Sequence, residues 1–202
     1  MRKVALTGGI ATGKSYVLDR LRRHGVPCLD ADALAHGVMA AGTEATAAIA
    51  ARFGDRAIAA DGSIDRTVLG PLVFGDAEAR RDLEAIVHPA VYRAITVGLR
   101  AFELLGVDAL AVVDIPLLYE SGHAGDFDRV IVTACSETTQ LARLRERGLE
   151  EEAARKRIAA QWPTERKVAL ADFVVSTDGT HEETDAQIDR LLDTLRAGAL
   201  DR

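Results

Sequence analysis

The sequence predicts an α/β fold, a doubly wound five-stranded parallel sheet carrying a helical insert. Continuous apolar runs at residues 4–7, 109–113 and 130–133 have the composition of central strands covered on both faces. Longer segments with helical apolar spacing lie between such runs, and strands alternating with helices imply parallel pairing through helical crossovers. Residues 56–106 carry no strand signal, so they are expected to form a helical lobe inserted into the sheet order.

The elements follow in order. Residues 4–7 read as a buried strand and 8–13 as a glycine-rich turn. Residues 15–24 read as a helix with Val17, Leu18 and Leu21 on one face, ended by Gly25. A second short strand is expected at 26–29, and helices at 32–39 and 43–53. Asp61-Gly62 is a turn signal. Helical periodicity then runs over 65–106, with breaks expected at Pro71, Gly75 and His88-Pro89. The third and fourth strands are 109–113 and 130–133; Ser136 and Glu137 open a helix, and 137–171 is helical and rich in charge. A fifth strand at 173–175 and an amphipathic helix at 182–197 complete the chain.

Composition excludes several classes. The 202 residues carry a net charge of -6, which argues against non-specific nucleic-acid binding, a task that needs a basic face. No apolar run reaches membrane-spanning length, the longest being cut by Asp108 and Asp114. The N-terminus runs into structure without the apolar stretch of a signal peptide. Cys28 and Cys135 stand apart, with no C-x-x-C pair, as expected of buried small hydrophobes in a reducing cytoplasm. The chain has no Asn, which removes the guanine-specificity motif of GTPases and the catalytic-loop Asn of protein kinases.

One motif carries chemistry outright. Gly8-Gly9-Ile10-Ala11-Thr12-Gly13-Lys14-Ser15 fits G-x-x-x-x-G-K-[ST], directly after a strand and before a helix. Glycines let successive backbone N–H groups turn inward onto phosphate oxygens, and the helix start adds the positive end of its dipole. Gly9, Ile10, Ala11, Thr12, Gly13, Lys14, Ser15 and Tyr16 are therefore expected to bind the nucleotide. Lys14 places a cation on the β- and γ-phosphates, and the Ser15 hydroxyl is a ligand for Mg²⁺. Lys14→Ala is expected to abolish transfer and leave the fold intact. Asp30-Ala31-Asp32 ends the second strand, where doubly wound sheets bind ligands. Acids there suit a metal or a substrate hydroxyl, and equally the cap of the next helix.

With these motifs in place, the sequence resembles the dephospho-coenzyme A kinase family over nearly its whole length. The likeness includes Leu6-Thr7-Gly8-Gly9-Ile10, Asp30-Ala31-Asp32, His88-Pro89 and Pro116-Leu117-Leu118-Tyr119-Glu120. It continues through Gln140-Leu141 with Arg143 and Arg147, Ala160-Gln161, and Ala171-Asp172. The resemblance implies ATP-dependent phosphorylation of the ribose 3′-hydroxyl of dephospho-CoA, with Mg²⁺, in the cytoplasm. Another small-molecule kinase, taking a nucleoside monophosphate or a sugar acid, is the alternative. ATP and dephospho-CoA are the implied partners, with no nucleic acid and no membrane, and a monomer is expected.

The resemblance also distributes roles. It implies a single kinase domain with a core at about 1–55, 107–136 and 171–202, an acceptor lobe at about 56–106 and a lid at about 137–170. Asp32 faces the acceptor hydroxyl as orienter and base. Arg143 and Arg147, on one helix face, close over the phosphates, and Arg143 joins Lys14 and Asp32 in catalysis. His88, Tyr119, Glu120 and Gln161 lie near the acceptor, with Tyr119 on its adenine. Asp114, ending the third strand, resembles an acid that holds Mg²⁺ through water. Two departures stand out. Ala11 replaces a common Gly, which a negative φ would permit. Ser176-Thr177-Asp178-Gly179 stands where the family tends to carry Asn near the ATP adenine, so adenine contacts are not carried over.

Overall fold

The computed structural model describes residues 1–197; the end of the expected core segment, 198–202, lies outside the described residues. Five strands form one sheet: β1 (Arg2–Gly8), β2 (Cys28–Asp30), β3 (Leu110–Asp114), β4 (Arg129–Ala134) and β5 (Phe173–Ser176). Their order is β2-β3-β1-β4-β5, and β1 pairs in parallel with both β3 and β4, as β4 does with β5. The fold class is as the sequence predicts. Because β1 sits between strands that follow it by long crossovers on either side, the loop after β1 opens at a topological switch point.

The helices are α1 (Lys14–Arg23), α2 (Ala31–Val38), α3 (Glu44–Phe53), α4 (Arg66–Phe74), α5 (Ala77–Leu105), α6 (Glu137–Glu146), α7 (Glu151–Ala159), α8 (Thr164–Val168) and α9 (His181–Ala197). The chain divides into two compact units, Met1–Leu29 with Phe102–Arg202, and Asp30–Ala101. The first contains the sheet. Val4 and Leu6 of β1, Val112, Ile131 and Val175 pack with Val17 and Leu21 of α1 and with Ile188, Leu192 and Leu195 of α9. In the second unit Ile49, Phe53, Ala57, Ile64 and Leu69 form a separate apolar centre. That unit takes in α2 and α3 as well as the stretch read from sequence as the insert.

Three local expectations are corrected. Pro71 lies inside α4 and Pro89 inside α5, so neither proline ends a helix. A proline strips the donor from the carbonyl four residues earlier. Those carbonyls belong to Thr67 and Ala85, both exposed residues. Gly75 does end α4. The second strand begins only at Cys28. Residues 56–106 also hold one antiparallel bridge, between Ile58 and Ile64, across the Asp61-Gly62 turn.

Candidate active site

The site begins with the loop after β1. Gly8 has no room for a side chain, since an added Cβ would stand 2.2 Å from Thr133 Oγ1. Ala11 has φ 59 and Gly13 φ 81, so the loop alternates into the left-handed region and turns backbone amides inward. The permissive condition for Ala11, a negative φ, is thus not met. A left-handed alanine costs roughly 1–2 kcal/mol. Its buried methyl, packed with Leu144 and Ala154, offsets part of that strain. Thr12 closes the turn, its hydroxyl 2.8 Å from both the Gly9 carbonyl oxygen and Thr133 Oγ1. Gly13 caps α1, whose first turn has no acidic residue and whose last turn carries Arg20, Arg22 and Arg23. The positive end of the helix is left for an anion.

Lys14 forms an ion pair with Asp114, which β3 delivers opposite Leu6 of β1. Asp114 is 5% exposed. Ser15 is exposed in the first turn of α1. These groups fit Mg²⁺ as kinases hold it, with a hydroxyl and a carboxylate on the protein side and phosphate oxygens and waters completing the shell. Among the described residues no group of three or more His, Cys, Asp or Glu forms an all-protein cage. Tyr16 turns away from the loop: its ring stacks on His181 at 4.4 Å and its hydroxyl donates to Asp185.

Residues from 137–170 grip the loop backbone. Gln140 Nε2 donates to the Ile10 carbonyl at 2.7 Å, and Gln161 Oε1 accepts from the Ile10 amide at 2.7 Å. Gln161, expected beside the acceptor, is thus a phosphate-loop contact. A side-chain amide offers both a donor and an acceptor, so two glutamines satisfy the backbone N–H and the C=O of one residue, on successive peptide units. Arg143 also meets the loop. Its Nη1 donates to the Ala11 carbonyl and to Thr177 Oγ1, both at 3.0 Å, and its Nη2 to the Thr177 carbonyl at 2.6 Å. These bonds tie the guanidinium to the loop and to the segment after β5. Arg147 caps the end of α6 and is exposed. Glu151 pairs with Arg155 and Arg145.

The segment after β5, where the sequence has Ser176-Thr177-Asp178-Gly179, ties the phosphate loop to α6. The buried Thr177 hydroxyl donates to the Thr12 carbonyl at 2.9 Å while accepting from Arg143, a double role open to any hydroxyl. Asp178 binds the start of α6, accepting from Ser136 N at 2.9 Å and from the Thr139 hydroxyl at 2.6 Å. Those bonds, the Thr139 hydroxyl first, hold its carboxyl below the usual carboxylate range. A depressed folded pKa gives stability that is present above the unfolded value and lost as pH falls through the folded one. Asp178→Asn is therefore expected to lower Tm at pH 7, with an effect that shrinks as pH falls below the ordinary Asp value of about 3.9. Thermal melts across that range check it.

Tyr119 and Glu120, expected near the acceptor, both meet Trp162. Tyr119 is buried, its ring stacked on Trp162 at 6.2 Å with 6° between planes. Glu120 Oε1 accepts from the Trp162 amide at 3.0 Å and lies 2.8 Å from the Nζ of Lys167. Burial acts to raise the Glu120 pKa, but Lys167 and the Trp162 amide outweigh it and hold the carboxyl low. Sequence reasoning missed Lys167, Trp162 and Thr177 as partners here. Only their place in a charge-rich helical stretch, or beside the missing Asn, marked them.

Two expected residues belong to the unit Asp30–Ala101. Asp30 takes the capping role, its Oδ1 accepting from the amides of Asp32 and Ala33 at 2.9 and 3.0 Å. Asp32 is left exposed in the first turn of α2 with no cap to form. His88 is exposed in the middle of α5, so it marks no helix boundary. An open cleft in this unit, about 370 Å³, is lined by Leu34, Val38, Ala90, Arg93 and Ala94 among others.

Arg143→Lys is expected to destabilise the chain by about 2 kcal/mol, because an ammonium cannot span the Ala11 and Thr177 carbonyls together. Denaturant melts with and without ATP check it, and the variant should also bind ATP more weakly.

The comparisons with known proteins agree with this geometry. The family model described as dephospho-CoA kinase matches residues 2–183. A protein named dephospho-CoA kinase from Leifsonia xyli is 44% identical over 197 residues, covering 97% of this chain and all of that one. A solved structure from Thermus thermophilus has a TM-score of 0.81 at 33% identity, covering 96% of this chain and 97% of that one. The dephospho-CoA kinase from Campylobacter jejuni has a TM-score of 0.74 at 27% identity, covering 98% and 99%.

Proposed function

The chain belongs to the dephospho-CoA kinase family, and we propose that it transfers the γ-phosphoryl group of ATP to the ribose 3′-hydroxyl of dephospho-CoA, giving coenzyme A and ADP. The observation that carries this reading is the phosphate loop with its Lys14–Asp114 pair, set within a family match that also spans the acceptor unit. That span leaves no ground for a nucleoside monophosphate or a sugar acid as acceptor.

The loop amides and the N-terminus of α1 hold the phosphates. Lys14 exchanges its Asp114 partner for phosphate oxygens and follows the charge as it moves toward the leaving ADP. Ser15, with Asp114 beyond it, would hold Mg²⁺, which neutralises phosphate charge when bound. The 3′-oxygen attacks the γ-phosphorus, the bond to the β-phosphate oxygen breaks, and the hydroxyl proton passes to Asp32. The transition state is loose, so Asp32 acts mainly by aligning the oxygen. Residues 137–170 exclude water, which would otherwise compete as acceptor. We take the chain to act as a cytoplasmic monomer. Among the described residues no helix is long and apolar enough to cross a membrane.

ADP release from ATP·Mg²⁺ with and without dephospho-CoA, with mass spectrometry of the acceptor, tests this. A phosphate gained by dephospho-CoA, with little ADP in its absence, is the expected result. ADP release indifferent to dephospho-CoA would overturn it.

A further inference from the structure

Lys167 is 0% exposed, and its Nζ lies 2.8 Å from Glu120 Oε1. A fully buried ammonium is costly unless paired, so this pair fixes where Glu120 stands. That same Oε1 accepts from the amide of Trp162. The Trp162 ring is held as well, by the Tyr119 stack and by the Arg166 guanidinium 3.4 Å from its centroid. The preceding residue is Gln161, whose side chain accepts from the Ile10 amide of the phosphate loop. One carboxylate, on the segment that follows β3, thus sets the backbone from which Gln161 reaches the loop.

We propose that Glu120 is a positioning residue for phosphoryl transfer: secured by Lys167, it fixes the Trp162 amide and so seats the Gln161 carboxamide on Ile10. It touches neither ATP nor the acceptor. Ile10 is gripped on both sides of its Cα, at its carbonyl oxygen by Gln140 and at its amide nitrogen by Gln161. Freeing the nitrogen side lets the loop leave the shape that aims its amides at phosphate. Alignment in the transition state suffers, and acceptor affinity does not. This inference rests on the phosphoryl-transfer reading above.

Removing one charge from a buried pair invites misfolding. The test therefore removes both and varies only the hydrogen-bond acceptor. In Glu120→Gln/Lys167→Met the Gln carbonyl still accepts from Trp162; in Glu120→Leu/Lys167→Met nothing does. Gln161→Leu, at a partly exposed position, breaks the final bond alone and leaves the pair intact.

The Leu/Met pair and Gln161→Leu are each expected to lower kcat about tenfold, the weight of a single hydrogen bond, with KM for dephospho-CoA unchanged. The Gln/Met pair restores kcat. Combining the Leu/Met pair with Gln161→Leu gives no further loss, because both act through the Ile10 amide. An unchanged kcat in Gln161→Leu would overturn the proposal even if the paired variants fail to fold. Losses that multiply, or a raised KM for dephospho-CoA, would do the same. The parent chain is assayed first: no transfer there sinks the phosphoryl-transfer reading, whereas transfer with multiplying losses sinks only this inference.

Discussion

Lys14→Met is expected to lower kcat by about a hundredfold to a thousandfold, the loss seen when a charge-stabilising donor is removed from a transition state. The sequence alone predicts that a lysine at a loop-to-helix junction packs little, so that its loss leaves the fold untouched. The Asp114 ion pair changes that expectation. Without Lys14, a carboxylate with 7% of its side chain exposed loses a cationic partner. Stability should fall by up to about 3 kcal/mol, less than for a sealed pair, since the Lys14 side chain keeps 15% of its surface. Activity and stability then fall together, and a single variant cannot separate them. Lys14→Met/Asp114→Asn, compared with Asp114→Asn alone, does so by removing both charges. Tm should recover toward the parent value while kcat stays low. If kcat recovers with Tm, Lys14 serves only to neutralise Asp114 and has no part in the transfer.

This pairing shows what kind of information the sequence held. Gly8, Gly13 and Lys14 were legible because their roles follow from local backbone geometry: a close approach to Thr133, a left-handed cap, a cation at a helix start. The sheet was legible because buried strands need unbroken apolar runs, as Val112, Val113, Ile131 and Val132 supply. Side-chain partners across the chain were not legible. Gln161 has the same spacing from its neighbours whether it meets an acceptor or the Ile10 amide, and only the folded path decides. Arg143 and Arg147 share a helix face, yet one is tied to the Ala11 and Thr177 carbonyls while the other is exposed. Pro89 misled because a proline signals a break only where the orphaned carbonyl lacks another partner, and the exposure of Ala85 is a tertiary fact. The partner of Tyr119 was hidden for a related reason. Its aromatic ring suits an adenine or a Trp162 equally, and the folded chain supplies the Trp162.

Asp32→Asn is the second large effect, a fall in kcat of about a hundredfold, within the range of general-base catalysis, with KM for ATP nearly unchanged. The argument starts from α2. Two acids stand at its start, and a helix needs only one cap. Asp30 takes that role, accepting from the amides of Asp32 and Ala33. The Asp32 carboxylate is therefore not required by the fold, and its exposure leaves it open to a substrate hydroxyl. Asn keeps the shape and a carbonyl acceptor but cannot take a proton at neutral pH. Removing an acid from a first helical turn loses under about 1 kcal/mol. Asp30→Ala provides the opposite signature. It should lose about 1 kcal/mol of stability with its cap, while the transfer chemistry keeps its base. The two variants thus separate a structural acid from a chemical one within three residues. A kcat for Asp32→Asn equal to that of the parent, at equal Tm, would remove Asp32 from the mechanism. In-line placement of the 3′-oxygen would then have to come from other groups, with the proton lost to solvent after the phosphoryl group has moved. The loose transition state of phosphoryl transfer makes that outcome chemically coherent, which is why the variant decides between the two.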